Sequence, residues 1–336
     1  IVFGDWSSDV CSSDLDLNEE AIEAFDRAIE AYPQYANAYS ARAWAYYELG
    51  DYAMAASDLE AATAAGDKSA STAGDLAYMY YLVGEYQQSL QASERALQAS
   101  PDELWVRFDR ALTLLAAGQG DESRAEYERG MKLAADQVAQ ARQEGGEPPS
   151  YLWQALTDAA DALDVALFSL EAGLGSPDPT SFVNPDLMRT KGQEWMFELK
   201  SLAVALEYTG QAPQGSVSAQ ISPFSFVQPI VDEEGTVVDY SEPVEAFEYG
   251  IDEFAVLFDY AGMADGSDVV FKLYINGEED PSWRIVDAWS LGSEGSAEIP
   301  ISYAYSDTFV FDPGEYIVEL YVNYHLVQRG VFQIEE

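Results

Sequence analysis

The sequence predicts a multidomain protein in which an α-helical solenoid is followed by an all-β sandwich. Turn glycines recur every 34 residues in the first part, at Gly50, Gly84 and Gly118, and such fixed-period self-similarity is typical of stacked helix pairs. After residue 216 the apolar residues alternate with a period of two, and Val, Phe, Tyr and Ile become frequent, as they are in strands. The change of period marks a domain boundary.

Residues outside the turns keep the same 34-residue frame. Tyr46 and Tyr80 are one interval apart. Pro33 and Pro101 are two intervals apart, and each stands where the second helix of a unit has to end, because proline interrupts helical hydrogen bonding. Small residues recur where paired helices approach closely, at Ala28, Ala62, Ala96 and Gly130.

This phased pattern resembles the tetratricopeptide repeat over about residues 16–131. The resemblance implies half a repeat followed by three complete repeats, and helical periodicity continues a little further along the chain. We therefore predict a solenoid of the tetratricopeptide type at residues 16–143.

The first fifteen residues lack the apolar period of a helix, although the frame calls for one. The run Asp5–Leu15 resembles a translated sequencing adapter, and we interpret residues 1–15 as an artefactual leader. The alternative is a disordered terminus rich in Ser and Asp. On the first interpretation Cys11, the only cysteine, is foreign to the protein, and an upstream catalytic domain could have been lost.

The charge balance restricts the kinds of partner. The chain has 16 Lys and Arg against 60 Asp and Glu, a net charge of −44. Such an excess of carboxylates repels phosphate backbones and anionic lipid surfaces, so the sequence predicts no nucleic-acid partner. No apolar run approaches the roughly 20 residues of a membrane span, which predicts no membrane insertion.

Residues 151–209 are predicted to be helices that cap the solenoid. A loop rich in Gly and Pro at 144–150 separates them from the repeats. An apolar stripe then runs from Leu152 to Leu170, and a second helix is predicted to start with Asn184 as its cap and Pro185 in its first turn. Without such a cap the last repeat would expose its apolar face to water.

Residues 217–336 are predicted to form an antiparallel β-sandwich of immunoglobulin-like architecture. Alternation is clearest at 254–260 and 316–323, and Asn276-Gly277 is a turn sequence. Further strands are expected near 219–227, 269–275, 282–289, 297–304 and 326–335. The ending, 313–332, resembles the terminal hairpin of sandwich modules in bacterial envelope proteins, which implies an extracytoplasmic location; a cytoplasmic one is the alternative.

The residues present do not suggest catalysis. His325, expected at an exposed turn, is the only histidine, so a histidine triad or a site with several imidazoles cannot be assembled. No phosphate-binding loop, dinucleotide fingerprint or nucleophile elbow is present, and we predict neither an enzyme nor a cofactor. Acidic loops at 232–235, 265–268 and 278–280 are interpreted as solvated turns, with Asp265 and Asp268 the first candidates if calcium binds.

The family resemblance also implies a groove lined by the first helix of each repeat. The positions carried over are Trp44 and Tyr47 in the first complete repeat, Asp75, Tyr78 and Tyr81 in the second, and Trp105, Phe108 and Asp109 in the third. Aromatic rings beside carboxylates suit a protein or peptide with apolar anchors and a Lys or Arg. Arg42 and Arg107 fall at structural positions instead of forming a carboxylate clamp, which argues against a receptor for chaperone tails.

Three functional hypotheses follow from the sequence. The leading one is a non-enzymatic scaffold that binds a protein or peptide in the aromatic and acidic groove, with the sandwich as an accessory domain. The second is the regulatory tail of a truncated envelope enzyme, for example a trypsin-like protease. The third is carbohydrate binding by the sandwich through Trp283, Trp289 and Tyr303, although the two tryptophans are more consistent with a core position.

Overall fold

The computed structural model describes residues 12–173, 175, 177–209, 211–213, 217–231, 237–302 and 310–335. The chain divides into two compact units, Ile1–Gln211 and Ala212–Glu336. The first unit is helical and the second is rich in strands, which confirms the predicted fold class. Residues 1–11, with most of the adapter-like run and Cys11, lie outside the described residues.

The helical unit is a succession of helix hairpins. Its helices are α1 Ser12–Ala31, α2 Ala36–Glu48, α3 Tyr52–Ala64, α4 Ala70–Val83, α5 Tyr86–Ala99, α6 Leu104–Ala116, α7 Gly120–Gln143, α8 Tyr151–Ala172 and α9 Pro185–Thr209. The pairs α2–α3, α4–α5 and α6–α7 span the residues in which three complete repeats were predicted. Helix α1 begins at Ser12, inside the segment interpreted as a leader.

The recurring glycines have the conformation that the turns require. Gly50, Gly84 and Gly118 have φ angles of 75°, 84° and 75°, in the left-handed region that glycine reaches without steric cost. The backbone N–H of Asp51 returns to the Tyr46 carbonyl oxygen at 2.9 Å, and that of Glu85 returns to Tyr80 at 2.8 Å. Each first helix therefore ends in the same way, and the next helix starts in the same direction.

Helices α8 and α9 pack on each other and on the last repeat. The side chain of Asn184 accepts a hydrogen bond from the Leu187 N–H at 3.0 Å, so it caps α9 as its sequence predicts. Trp195 of α9 stacks on Tyr127 of α7, with ring centroids 5.4 Å apart, and both side chains are buried. This contact closes the apolar face of the third repeat.

The second unit contains three sheets within the described residues. Its strands are β1 Gln220–Ile221, β2 Ser225–Val227, β3 Pro229–Val231, β4 Val237–Tyr240, β5 Ala246–Glu248, β6 Glu253–Ala261, β7 Asp268–Ile275, β8 Glu278–Ala288, β9 Glu294–Ser302, β10 Gly314–Val322 and β11 His325–Glu335. One sheet has the order β1-β6-β2 with β9 also paired to β6, another has the order β5-β11-β10-β7-β8, and β3 pairs only with β4.

The two larger sheets share a core of aromatic rings. Phe332 of β11 lies 4.5 Å from Phe226 of β2 and 4.8 Å from Phe254 of β6, measured between ring centroids. The predicted sandwich was antiparallel throughout, whereas β5 pairs with β11 in parallel, so the five-stranded sheet is mixed. The short strands β3, β4 and β5 were not predicted, because three or four residues are too few to show an alternation.

Candidate functional site

The helical unit contains a cavity of about 840 Å³. Seven of the eight residues predicted to line a groove lie on its wall: Trp44, Tyr47, Asp75, Tyr78, Trp105, Phe108 and Asp109. They come from α2, α4 and α6, the first helices of the three repeats. The 34-residue spacing repeats each position on the next hairpin, and the stacked hairpins bring the side chains together.

Tyr81, the eighth residue, does not line this cavity. It is only 3% exposed and packs between Tyr78 and Tyr86, with centroid distances of 6.1 and 6.2 Å. Tyr81 lies three residues, or about one helical turn, after Tyr78 on α4, and it packs where α4 meets α5. Its ring stacks on the ring of Tyr78.

Ring contacts join the aromatic residues of the first and second repeats. Trp44 meets Tyr47 edge to face at 5.3 Å, and Tyr47 lies 6.2 Å from Tyr78. Trp44, Tyr78 and Trp105 are all half-buried. The indole N–H of Trp105 donates to the carboxylate of Glu103 at 3.2 Å, which fixes the ring at the cavity edge.

Two helical glycines make room for rings of this wall. A Cβ atom at Gly74 would lie 2.3 Å from the Trp105 ring, and one at Gly130 would lie 2.4 Å from the Phe108 ring. The positions that correspond to Gly130 in the preceding repeats hold Ala62 and Ala96, both fully buried. In the third repeat glycine takes the place of these alanines, and the missing methyl group leaves room for the ring of Phe108.

Helix α8 forms a wall of the cavity that sequence reasoning missed. Tyr151, Gln154 and Asp158 of α8 line the cavity, together with Gln137 of α7. We predicted α8 as a cap from its apolar stripe alone. The spacing of three and four residues between Tyr151, Gln154 and Asp158 places them on one helical face, and that polar stripe was the available signal.

Carboxyl groups from several helices converge on the cavity. Asp75 and Asp109 are 34 residues apart and occupy equivalent positions in successive repeats, and Asp158 joins them from α8. Within the described residues the cavity wall also holds Asp102 and Glu103, but no Lys, Arg or His. The site is therefore an acidic cavity in a partly apolar surrounding.

Burial changes the protonation of these carboxyl groups. Desolvation, together with repulsion by Asp75 and Asp158, raises the pKa of Asp109 to about 8. Desolvation and the charge of Asp67 raise the pKa of Asp75 to about 6. The pKa of Asp158 is also raised by burial, although the side-chain amide of Gln154 donates to it at 2.8 Å. Asp109 therefore holds a proton at neutral pH.

Arg42 and Arg107 are engaged between helices. Arg42 binds both carboxylate oxygens of Asp58, each at 2.7 Å, and also pairs with Asp26 of α1. Arg107 donates to Glu126 of α7 at 2.8 Å. Both guanidinium groups join the first helix of a repeat to a neighbouring helix, and neither lines the cavity.

Replacing Asp109 with asparagine is expected to reduce the pH dependence of stability. The native carboxyl keeps its proton up to about pH 8, whereas the unfolded one loses it near 3.8, so its contribution to stability falls as the pH rises between these values. We expect the free energy of unfolding of the wild type to fall by about 1 to 2 kcal/mol more than that of Asp109→Asn between pH 5 and pH 8, a value reduced because the carboxyl is partly accessible.

Urea denaturation at several pH values measures this difference. Asp136→Asn is the matched control, because its carboxylate is 63% exposed on α7. Parallel pH profiles for wild type and Asp109→Asn would contradict the prediction.

The two tryptophans proposed for a carbohydrate platform are buried. Trp283 and Trp289 are 9% and 6% exposed and belong to its core, which is the alternative that the sequence favoured. The Trp289 indole donates to the Gly292 carbonyl oxygen at 2.7 Å, and its ring packs on Tyr260 at 4.6 Å. Tyr303 lies outside the described residues.

Of the weak metal candidates, Asp265 lies in a turn and Asp268 begins β7. Asp265 accepts a hydrogen bond from the Gly292 N–H at 3.0 Å, and Asp268 is exposed beside the Asn323 turn. Across the described part of the chain, no group of three His, Cys, Asp or Glu side chains could hold a metal ion. His325 was expected to be exposed, but it is half-buried, and its buried Nε2 has no hydrogen-bond partner among the described residues. The loop at 232–235 falls outside the ranges that the structure describes.

No helix in the described ranges combines the length and the apolar character that crossing a bilayer requires.

Part of the repeat region matches a known family. The tetratricopeptide repeat family model matches residues 24–56, which extend from α1 into α3. This match confirms the resemblance for that stretch. No curated protein sequence matches the chain.

Several solved structures are similar to part of the chain. The structure of YrrB, a TPR protein with an unusual peptide-binding site, is 16% identical, covers 58% of this chain and 86% of its own, and has a TM-score of 0.36. The MamA protein is 14% identical, with 61% and 91% covered and a TM-score of 0.38. TTC0263, a thermophilic TPR protein of Thermus thermophilus, is 18% identical, with 55% and 93% covered and a TM-score of 0.33. Likenesses of this size carry no argument about function.

Proposed function

We propose that this protein is a non-enzymatic scaffold whose helical unit binds an extended polypeptide segment in the cavity. The observation that carries the proposal is the composition of the wall, in which aromatic rings alternate with carboxyl groups and no basic residue is present among those described. A volume of about 840 Å³ is within the range of ligand sites and has room for a few side chains of a partner.

The rings supply apolar contact area for such a segment. Trp44, Tyr78 and Trp105 are half-buried in the free protein, so each keeps part of its face for a partner to cover. Their supporting contacts hold them in place, and a ligand would therefore bind without the cost of ordering them. This favours a segment with one or two apolar anchors.

The carboxyl groups give the charge preference. A partner with Lys or Arg would complement both the acidic wall and the net charge of −44. Ser71, Gln137 and Gln154 add polar groups that can bind a peptide backbone. We propose the β unit, which has its own aromatic core, as an accessory domain.

Peptides selected from a random dodecapeptide library test this function. We expect the selected sequences to combine aromatic or large aliphatic residues with Lys or Arg. Each should bind the double variant Trp44→Ala/Trp105→Ala about tenfold to a hundredfold more weakly than wild type, because truncation of buried aromatic anchors typically costs about 1 to 3 kcal/mol.

The matched control is Phe168→Ala, which removes a ring that is 64% exposed on α8 and does not line the cavity. Fluorescence anisotropy gives the dissociation constants, and circular dichroism checks that the variants remain folded. Peptides that bind the double variant as tightly as wild type would show that the cavity is not the binding site.

A further inference from the structure

We infer that the cluster of Asp75, Asp109 and Asp158 receives one lysine or arginine side chain of the bound segment, and that insertion of this cation releases a proton from the cluster. The inference rests on the proposed function, because it assigns a ligand group to one part of the same cavity. It goes further in stating that the binding of basic segments depends on pH.

The three carboxyl groups come from three helices and face one space. Asp75 of α4 is 8% exposed, Asp109 of α6 is half-buried, and Asp158 of α8 is half-buried. Their positions on separate helices fix the cluster in the packed scaffold, so a cation can meet it without rearrangement. Among the described residues, the ionisable groups around Asp109 are Tyr47 of α2, Asp75, Tyr78 and Tyr81 of α4, Tyr127 of α7, and Asp158 of α8.

Nearby basic side chains are bound to other groups. Arg110, next to Asp109 on α6, donates to the Leu90 carbonyl oxygen of α5 at 2.8 Å. Arg107 pairs with Glu126 of α7, and Lys200 of α9 lies 3.5 Å from Asp161 of α8. None of these cations lines the cavity, so the charge of the cluster is left for a ligand to neutralise.

Without a cation the cluster is neutralised by protons. Burial and mutual repulsion raise the pKa of Asp109 to about 8 and that of Asp75 to about 6. A cation beside a carboxyl group favours the ionised form and lowers its pKa. An ammonium or guanidinium group could therefore displace the proton while it contacts the faces of the surrounding tyrosine rings.

Because binding of the cation releases a proton, the direction in which affinity changes with pH is fixed. Below about pH 8 the free site carries a proton that the occupied site loses, so raising the pH favours binding. Affinity for a basic side chain should increase with pH between the pKa of the occupied site and about pH 8, by at most about tenfold per pH unit, and then level off. A neutral group of the same shape, such as an acetylated lysine, should show no such dependence.

Nuclear magnetic resonance of the full chain with ¹³C-labelled aspartate carboxyl groups tests the inference. The Asp109 signal is assigned by its loss in Asp109→Asn. We expect this carboxyl to titrate near pH 8, and n-butylammonium to lower the midpoint by at least about one pH unit. N-butylacetamide, a neutral analogue of the lysine side chain, should leave the midpoint unchanged.

Dissociation constants of n-butylammonium at pH 6, 7 and 8 complete the test. Binding should strengthen about threefold to fivefold from pH 7 to pH 8 in wild type and in the exposed control Asp136→Asn, but not in Asp109→Asn. An Asp109 carboxyl that titrates near 4, or equal affinity for butylammonium and butylacetamide, would overturn the inference. The titration uses no peptide, and the peptide selection requires no pH change, so each proposal can fail separately.

Discussion

Replacing Arg42 with alanine is expected to lower the free energy of unfolding by about 3 to 5 kcal/mol, the usual cost of leaving a buried charge without its partner. The Arg42 side chain is 16% exposed and that of Asp58 is 6% exposed, and the guanidinium group binds both oxygens of the carboxylate. Arg42 also pairs with Asp26 of α1. Its loss would therefore weaken the contacts of α2 with both neighbouring helices.

Urea denaturation monitored by circular dichroism measures this change. Arg27→Ala is the control, because Arg27 is 70% exposed and lies 3.9 Å from Glu23 in the same helix; its loss should cost less than about 0.5 kcal/mol. The double variant Arg42→Met/Asp58→Leu removes both charges and should recover much of the loss. Equal costs for Arg42→Ala and Arg27→Ala would refute the argument.

Replacing Gly130 with alanine is expected to destabilise the protein by about 1 to 3 kcal/mol, as overpacking of a core does. Alanine in place of glycine normally stabilises a helix interior by roughly 0.5 to 1 kcal/mol. Here the new methyl group would lie 2.4 Å from the ring of Phe108, which is 2% exposed and stacks on Tyr127. Phe108 lines the cavity, so displacing its ring should weaken peptide binding as well.

Gly192→Ala provides the matched control for this change. Gly192 is a buried glycine within α9, and a Cβ atom there would lie 3.4 Å from Leu167, an ordinary contact. We expect this variant to be neutral or slightly stabilised. Adding Phe108→Leu to Gly130→Ala should restore part of the stability, because the shorter side chain leaves space for the methyl group. A Gly130→Ala variant with a higher melting temperature than wild type would contradict the packing argument.

The helical repeat could be predicted because its signals are local. Gly50, Gly84 and Gly118 each report a left-handed turn that few other residues tolerate, and their constant spacing fixes the frame for all positions between them. The packed β unit was predicted from strand alternation in the same way. The parallel pairing of β5 with β11 joins residues distant in sequence, and no local pattern reports it.

The 34-residue frame predicted which residues share a helical face, but it did not predict how exposed each side chain is. Tyr47 and Tyr81 occupy equivalent positions one interval apart, yet Tyr47 lines the cavity and Tyr81 is covered. The contact with the second helix does not account for this difference, because Tyr52 packs on Tyr47 at 5.7 Å just as Tyr86 packs on Tyr81 at 6.2 Å. The exposure of each ring depends on further neighbours that the repeat frame does not specify. The wall from α8 was missed for a related reason. Helix α8 lies outside the repeat, so no period relates Asp158 to Asp75 and Asp109.

The glycine at position 74 determines the order of the hairpins. Because Gly74 has no side chain, there is space beside it for the ring of Trp105, which belongs to the next unit along the chain. Duplicating the third unit would set Phe108, at the position equivalent to Gly74, against a second Trp105, whereas duplicating the second unit would leave a void opposite Gly74, because Ser71 is equivalent to Trp105. Shuffled versions of this array should therefore fold poorly, even though every unit fits the same family pattern.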